Sequence, residues 1–124
     1  MKIESLNGLK MRIQQDGFFE AVVSSVNDWD EALDKRDKGD LGSVWASAFE
    51  RLKSREYSSA SDEKAVNDIR EYVFKRIYAL THNSDAAGYI SDDIGLAAES
   101  ISKSFDNEWV EELLGLYCSG VFPD

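Results

Sequence analysis

Residues 61–80 read SDEKAVNDIREYVFKRIYAL, and this stretch decides the fold. Val66, Ile69, Tyr72, Val73, Ile77 and Leu80 recur three or four positions apart, which sets them on one helical face and leaves the charged residues to water. Ser61 is placed to cap the start, Asp62 and Glu63 complement the positive end of the helix dipole, and the pattern stops near His82-Asn83. A long helix with one apolar face needs other apolar faces to cover it. Both flanks supply them.

On the C-terminal side, Ala87, Ile90, Ile94, Ala97, Ile101 and Phe105 line one side of a segment from Ser84 to Ser104. Gly88 and Gly95 each cost about 1 kcal/mol as interior helical positions. The segment is therefore one helix or two, with Ser91 capping the second piece and Asp92-Asp93 in its first turn. Asp106 is placed to cap a last helix carrying Trp109, Val110, Leu113, Leu114 and Tyr117, which ends around Ser119-Gly120. On the N-terminal side, Leu6, Leu9 and Ile13 predict a short helix ending at Asp16-Gly17. Phe19, Val22, Val23, Val26, Trp29 and Leu33 predict one continuous second helix, halted in the run Arg36-Asp37-Lys38-Gly39-Asp40, where Gly39 can take the left-handed conformation. A third helix, about Ser43 to Arg55, is expected to bury Val44, Ala48, Phe49 and Leu52 together with Trp45, and Ser58-Ser59-Ala60-Ser61 reads as a loop. Strand-like alternation is scarce and the one proline is Pro123. The expectation is an all-α fold over residues 1–124, a single-domain bundle or compact array of five to six helices.

Composition agrees with a folded chain. Of 124 residues, 43% are hydrophobic and 31% charged, too apolar for a disordered segment. The run Met1-Lys2-Ile3-Glu4-Ser5-Leu6-Asn7-Gly8 has no apolar core of a signal peptide, and no stretch approaches the roughly 18 apolar residues of a membrane span. One cysteine, Cys118, excludes an internal disulfide framework. A cytoplasmic protein without a membrane partner is the expectation.

Charge is distributed unevenly. The formal net charge is −10, yet residues 1–60 carry nine Lys/Arg against eleven Asp/Glu, and residues 61–80 carry four of each. Residues 81–124 hold one cation, Lys103, against Asp85, Asp92, Asp93, Glu99, Asp106, Glu108, Glu111, Glu112 and Asp124. A field of one sign repels nucleic acid and anionic membranes and speeds encounter with a basic partner.

Motifs for chemistry are sparse. The glycines are scattered and no Gly-Lys-Ser/Thr occurs, so no phosphate-binding loop is expected. His82 with Cys118 falls short of a zinc ligand set, and one histidine cannot furnish the paired Glu-x-x-His of a di-iron bundle. Asp28-Trp29-Asp30 and Asp34-Lys35-Arg36-Asp37 lack the oxygen spacing and central glycine of a calcium loop. The adjacent acids Asp92-Asp93 and Glu111-Glu112 diverge by about 100° on a helix and make no catalytic dyad by themselves. A non-enzyme without cofactor or metal is expected.

The segment Ala87-Gly88-Tyr89-Ile90-Ser91-Asp92-Asp93-Ile94-Gly95-Leu96-Ala97-Ala98, then Trp109-Val110-Glu111-Glu112-Leu113-Leu114-Gly115-Leu116-Tyr117 and Gly120-Val121-Phe122-Pro123, resembles the small acidic helical immunity proteins of bacterial toxin systems, contact-dependent inhibition and other polymorphic toxins among them. That resemblance implies a non-catalytic cytoplasmic protein that binds one cognate toxin domain. Many such toxins are nucleases with clefts lined by Lys/Arg, which an acidic helical surface can cover. Two acidic surfaces are candidates for contact: Asp85, Tyr89, Asp92 and Asp93 with Glu108, Glu111 and Glu112, and separately Asp28, Trp29, Asp30, Glu31 and Asp34. A helical adaptor or regulatory subunit for another protein is the alternative, favoured by an exposed apolar groove in place of an acidic face.

Overall fold

The computed structural model describes residues 3–124, and Met1 and Lys2 of the N-terminal run lie outside the described residues. Among the described residues there are seven helices and no strand: α1 (Leu6–Ile13), α2 (Phe18–Ser24), α3 (Trp29–Lys38), α4 (Leu41–Lys53), α5 (Ala60–Thr81), α6 (Ser84–Ser102) and α7 (Glu108–Cys118). The fold is all-α, as the periodicity predicts, with one helix more than the upper expectation. No helix is long and apolar enough to cross a membrane among these residues.

The extra helix comes from the region read as one continuous second helix. The chain leaves the helical path after Ser24, and Asp28 takes an extended conformation and accepts the Glu31 amide at 3.1 Å as the cap of α3. An interior residue cannot do this, because an N-cap oxygen satisfies an amide that has no partner in the preceding turn. The stop of α3 also differs: Gly39 is extended at φ −88°, not left-handed. Two further caps shift by one or two positions. Ser59, not Ser61, precedes α5, and Asn107, not Asp106, caps α7 by accepting the Val110 amide at 3.0 Å.

The segment 84–104 does not break at Ser91. α6 runs unbroken from the Asn83 cap, so Asp92 and Asp93 lie in mid-helix and not in a first turn. From Asp93 to Ser100 every residue is buried, which makes α6 the central helix around which the others pack. Its small side chains permit that close approach. Gly95 is the tightest point, where the Arg70 side chain of α5 crosses α6 and a Cβ would sit 2.1 Å from Arg70 Nε. Residues of all seven helices join in the core, Leu9, Phe19, Leu33, Leu52, Ile77, Ile94 and Tyr117 among them. Val44, expected inside, is instead exposed at 39%.

The C-terminal tail is fastened to this core. α7 ends in a turn where Gly120 takes φ 76°, the Gly120 amide bonds to Tyr117 O at 2.9 Å, and the Val121 amide bonds to Leu116 O at 3.0 Å. Phe122 then inserts edge-on against Trp29 with ring centroids 5.1 Å apart, and its amide donates to Ser25 Oγ at 3.1 Å. Pro123 and Asp124 thereby come to lie between α3, α4 and α7.

Candidate functional site

Two adjacent aspartates of α6 have opposite surroundings. Asp93 is 1% exposed. Its carboxylate accepts Arg36 in a two-pronged bond, Nη1 to Oδ2 at 2.7 Å and Nη2 to Oδ1 at 2.6 Å. Trp45 Nε1 donates to Oδ1 at 3.1 Å, and the buried Tyr117 hydroxyl donates to Oδ2. The Arg36 guanidinium is further flanked by the Tyr89 ring at 5.1 Å and the Phe122 ring at 5.5 Å. Burial opposes the charge on Arg36, while the bonds from Asp93 more than restore it, so its pKa moves up. Burial, then the Asp93 charge, pushes the Tyr117 phenol far up and keeps it a donor. These four side chains fasten α3, α4 and α7 to α6. Asp93 therefore does not belong with the surface candidates: both its oxygens are engaged internally.

Arg36, Trp45 and Tyr117 carry this network, and Arg36 lies in the polar run expected only to halt a helix. The signal was present in the spacing. Arg36 follows Trp29 and Leu33 at i+7 and i+3 on the inward stripe of α3, and Asp93 follows Ala86 and Ile90 at the same spacings on α6. A charge on an apolar stripe needs a partner of opposite sign from another stripe.

The remaining candidates fall into separate places. Asp85 is exposed in the first turn of α6, near half-buried Tyr89, whose hydroxyl donates to Asp37 of α3. That bond, with partial burial, raises the Tyr89 phenol. Asp92 is exposed, yet the protein around its stem desolvates it and raises its pKa, with Asp93 adding to the rise and Arg70 opposing it. Asp30 and Asp34 share an exposed stripe of α3 with Asp37, and Asp34 pairs with Lys38 at 2.8 Å. Asp28 and Glu31 line a groove beside the tail, where Trp29 is half-buried.

On α7, Glu108, Glu111 and Glu112 are all exposed and, at i, i+3 and i+4, share one broad face whose two edges border different hollows. Glu111 borders a hollow with Glu4, Asp106 and Leu114, between the N-terminus, the end of α6 and α7. Glu112 borders the groove between α7 and the start of α4, together with Asp40 and Asp124. The tail joins the two acidic surfaces, because Asp124 lines both the groove that Glu112 borders and the groove bearing Asp28 and Glu31.

The two remaining chemically distinctive residues do not meet. His82 ends α5 in a left-handed conformation at φ 54° and lies edge-on to Tyr78, while Cys118 borders a groove with Arg12 and Phe18. No cluster of three or more potential metal ligands occurs among the described residues.

No curated protein matches the chain. A family model does, over residues 8–124, from the first turn of α1 through the fastened tail, and its description is "Immunity protein PIM1". Because that match spans nearly all seven helices, the chain belongs to the PIM1 family of immunity proteins.

Proposed function

We propose that this protein binds a cognate bacterial toxin domain in the cytoplasm and neutralises it without catalysis, by covering a basic active-site region with an acidic helical surface. The toxin chemistry that fits such a surface best is that of a nuclease, whose cleft must carry Lys/Arg to hold phosphates. The observation that carries the reading is the family match combined with where the acids lie. Asp85, Asp92, Glu108, Glu111 and Glu112 come from the region of greatest negative excess and are exposed on α6 and α7. Long-range attraction to a basic cleft raises the capture rate, and apolar anchors within the contact then set how long the complex lasts.

Rescue tests the reading. The polypeptide encoded immediately upstream is expressed under tight control, with and without this protein, and viability is scored. Toxicity relieved by this chain alone is the expected result, together with nucleic-acid degradation in the unprotected cells. A harmless neighbour, or one that kills regardless, overturns the immunity mechanism. Killing without nucleic-acid damage, relieved by this chain, overturns the nuclease assignment alone.

A further inference from the structure

Among the acidic surfaces, the groove between α4 and α7 exposes two large apolar side chains, whereas the groove bearing Asp28 and Glu31 exposes Val121 alone and includes Lys35. α4 buries Ala48 and Leu52 on its core stripe, and Val44, one turn earlier on that stripe, is left 39% exposed. α7 buries Val110, Leu113 and Tyr117, while Leu116 stands outside that stripe at 42% exposure. Both face the same groove, floored by half-buried Trp109 and closed at one end by the tail. Its rim carries three carboxylates, Asp40, Glu112 and Asp124, and no Lys or Arg lines it. Asp124 leans away to Lys35 at 3.4 Å, and the Asp40 side chain makes no capping bond to α4.

The geometry points to this α4–α7 groove as the contact surface for the toxin, taking a segment that seats an apolar side chain between Val44 and Leu116 and sets Lys or Arg against the rim. The inference rests on the immunity reading and deepens it. An apolar centre inside a charged rim is the anatomy of a tight protein interface, since the centre excludes water and the rim selects the partner. Charge identifies the occupant. A second copy of this chain would press carboxylates against carboxylates at a net charge of −10 per copy. The groove between α1 and α5 is a weaker candidate, because its border mixes Lys10 with Asp68 and offers no sign to complement.

The experiment uses the full chain and the upstream-encoded polypeptide, purified with its toxic activity disabled by mutation. Binding kinetics are measured for wild type, for Val44→Ser with Leu116→Ser, for Glu112→Lys, and for Asp68→Lys as a control of equal charge change. Circular dichroism verifies helicity, and substitution of side chains already exposed leaves the fold in place. The apolar pair is expected to raise the off-rate about tenfold or more. Glu112→Lys is expected to lower the on-rate and flatten its salt dependence, and Asp68→Lys to change either less than about twofold. Wild-type rescue with unchanged kinetics for the groove variants overturns the groove and leaves immunity standing. So does a loss confined to Glu111→Lys, measured alongside them, which would move the contact to the hollow between the end of α6 and α7. Failure of wild type to rescue or bind overturns the immunity reading itself. A wild-type dimer in sedimentation that Leu116→Ser dissolves overturns the toxin as occupant.

Discussion

Replacing Asp93 by alanine strands a buried cation. Arg36 has a side chain 8% exposed, and Asp93 supplies both acceptor oxygens of its guanidinium. Trp45 and Tyr117 lose their acceptor in the same substitution. Breaking a buried pair by removing one partner costs about 3–5 kcal/mol, chiefly because the remaining charge is left desolvated. Total stability of a domain is about 5–15 kcal/mol, so Asp93→Ala removes a large part of it. The expected signs are a clear fall in urea midpoint and a melting temperature lower by on the order of 10–20 °C. Adding Arg36→Met removes the stranded charge while keeping a side chain between Tyr89 and Phe122, and recovers about half of the loss or more. Urea titrations followed by circular dichroism at 222 nm, with the unfolding slope held equal, measure all three. The reasoning is refuted if Asp93→Ala stays within about 1 kcal/mol of wild type, or if the double variant is no more stable than the single.

Three further perturbations separate packing from charge. Gly95→Ala in the wild-type background is expected to lower stability by up to about 2 kcal/mol, since overpacking against Arg70 at 2.1 Å outweighs a helix-propensity gain near 1 kcal/mol. With Arg70→Ala also present the same change is expected to stabilise, and equal effects in both backgrounds would show that Arg70 does not occupy the space over Gly95. Asp92→Asn tests the raised carboxyl. The folded state holds the Asp92 proton more tightly than the unfolded state, so the charged form costs stability above the folded pKa, and that cost fades as pH falls towards the ordinary value of 3.8. Asp92→Asn is thus slightly more stable at neutral pH with the difference vanishing in acid, as denaturation at several pH values will show; a deficit at neutral pH would contradict it. Association with the toxin is expected to slow about tenfold or more between low and high salt, with little change in dissociation. Stopped-flow mixing reads both, and a salt-independent on-rate removes the electrostatic part of the proposal.

Helical class and most of the core were legible from spacing because burial on a helix repeats every three to four residues whatever it packs against. Val66, Ile69, Val73 and Ile77, like Ile90, Ile94, Val110 and Leu113, are inside as their periodicity predicts. The negative excess after residue 80 and the likeness to immunity proteins were equally properties of the chain read end to end. Less was legible at the boundaries. Val26 continues the apolar stripe of α2 almost without interruption, so nothing in the pattern marks Asp28 as a cap until the chain is seen to turn there.

Tertiary structure decided the fate of the charges. Asp92 and Asp93 are the same residue type one position apart, and only the arrival of Arg36, Trp45 and Tyr117 from three other helices makes one a core element and leaves the other in water. Likewise Glu111 and Glu112, about 100° apart on α7, border different hollows, and Val44 and Leu116, helices apart, share a groove with Asp124 of the tail. Periodicity is a local consequence of helical geometry and is written in neighbouring residues. Which charge is neutralised, and which carboxylates stand together, depends on contacts between residues dozens of positions apart, and those exist only once the helices have packed.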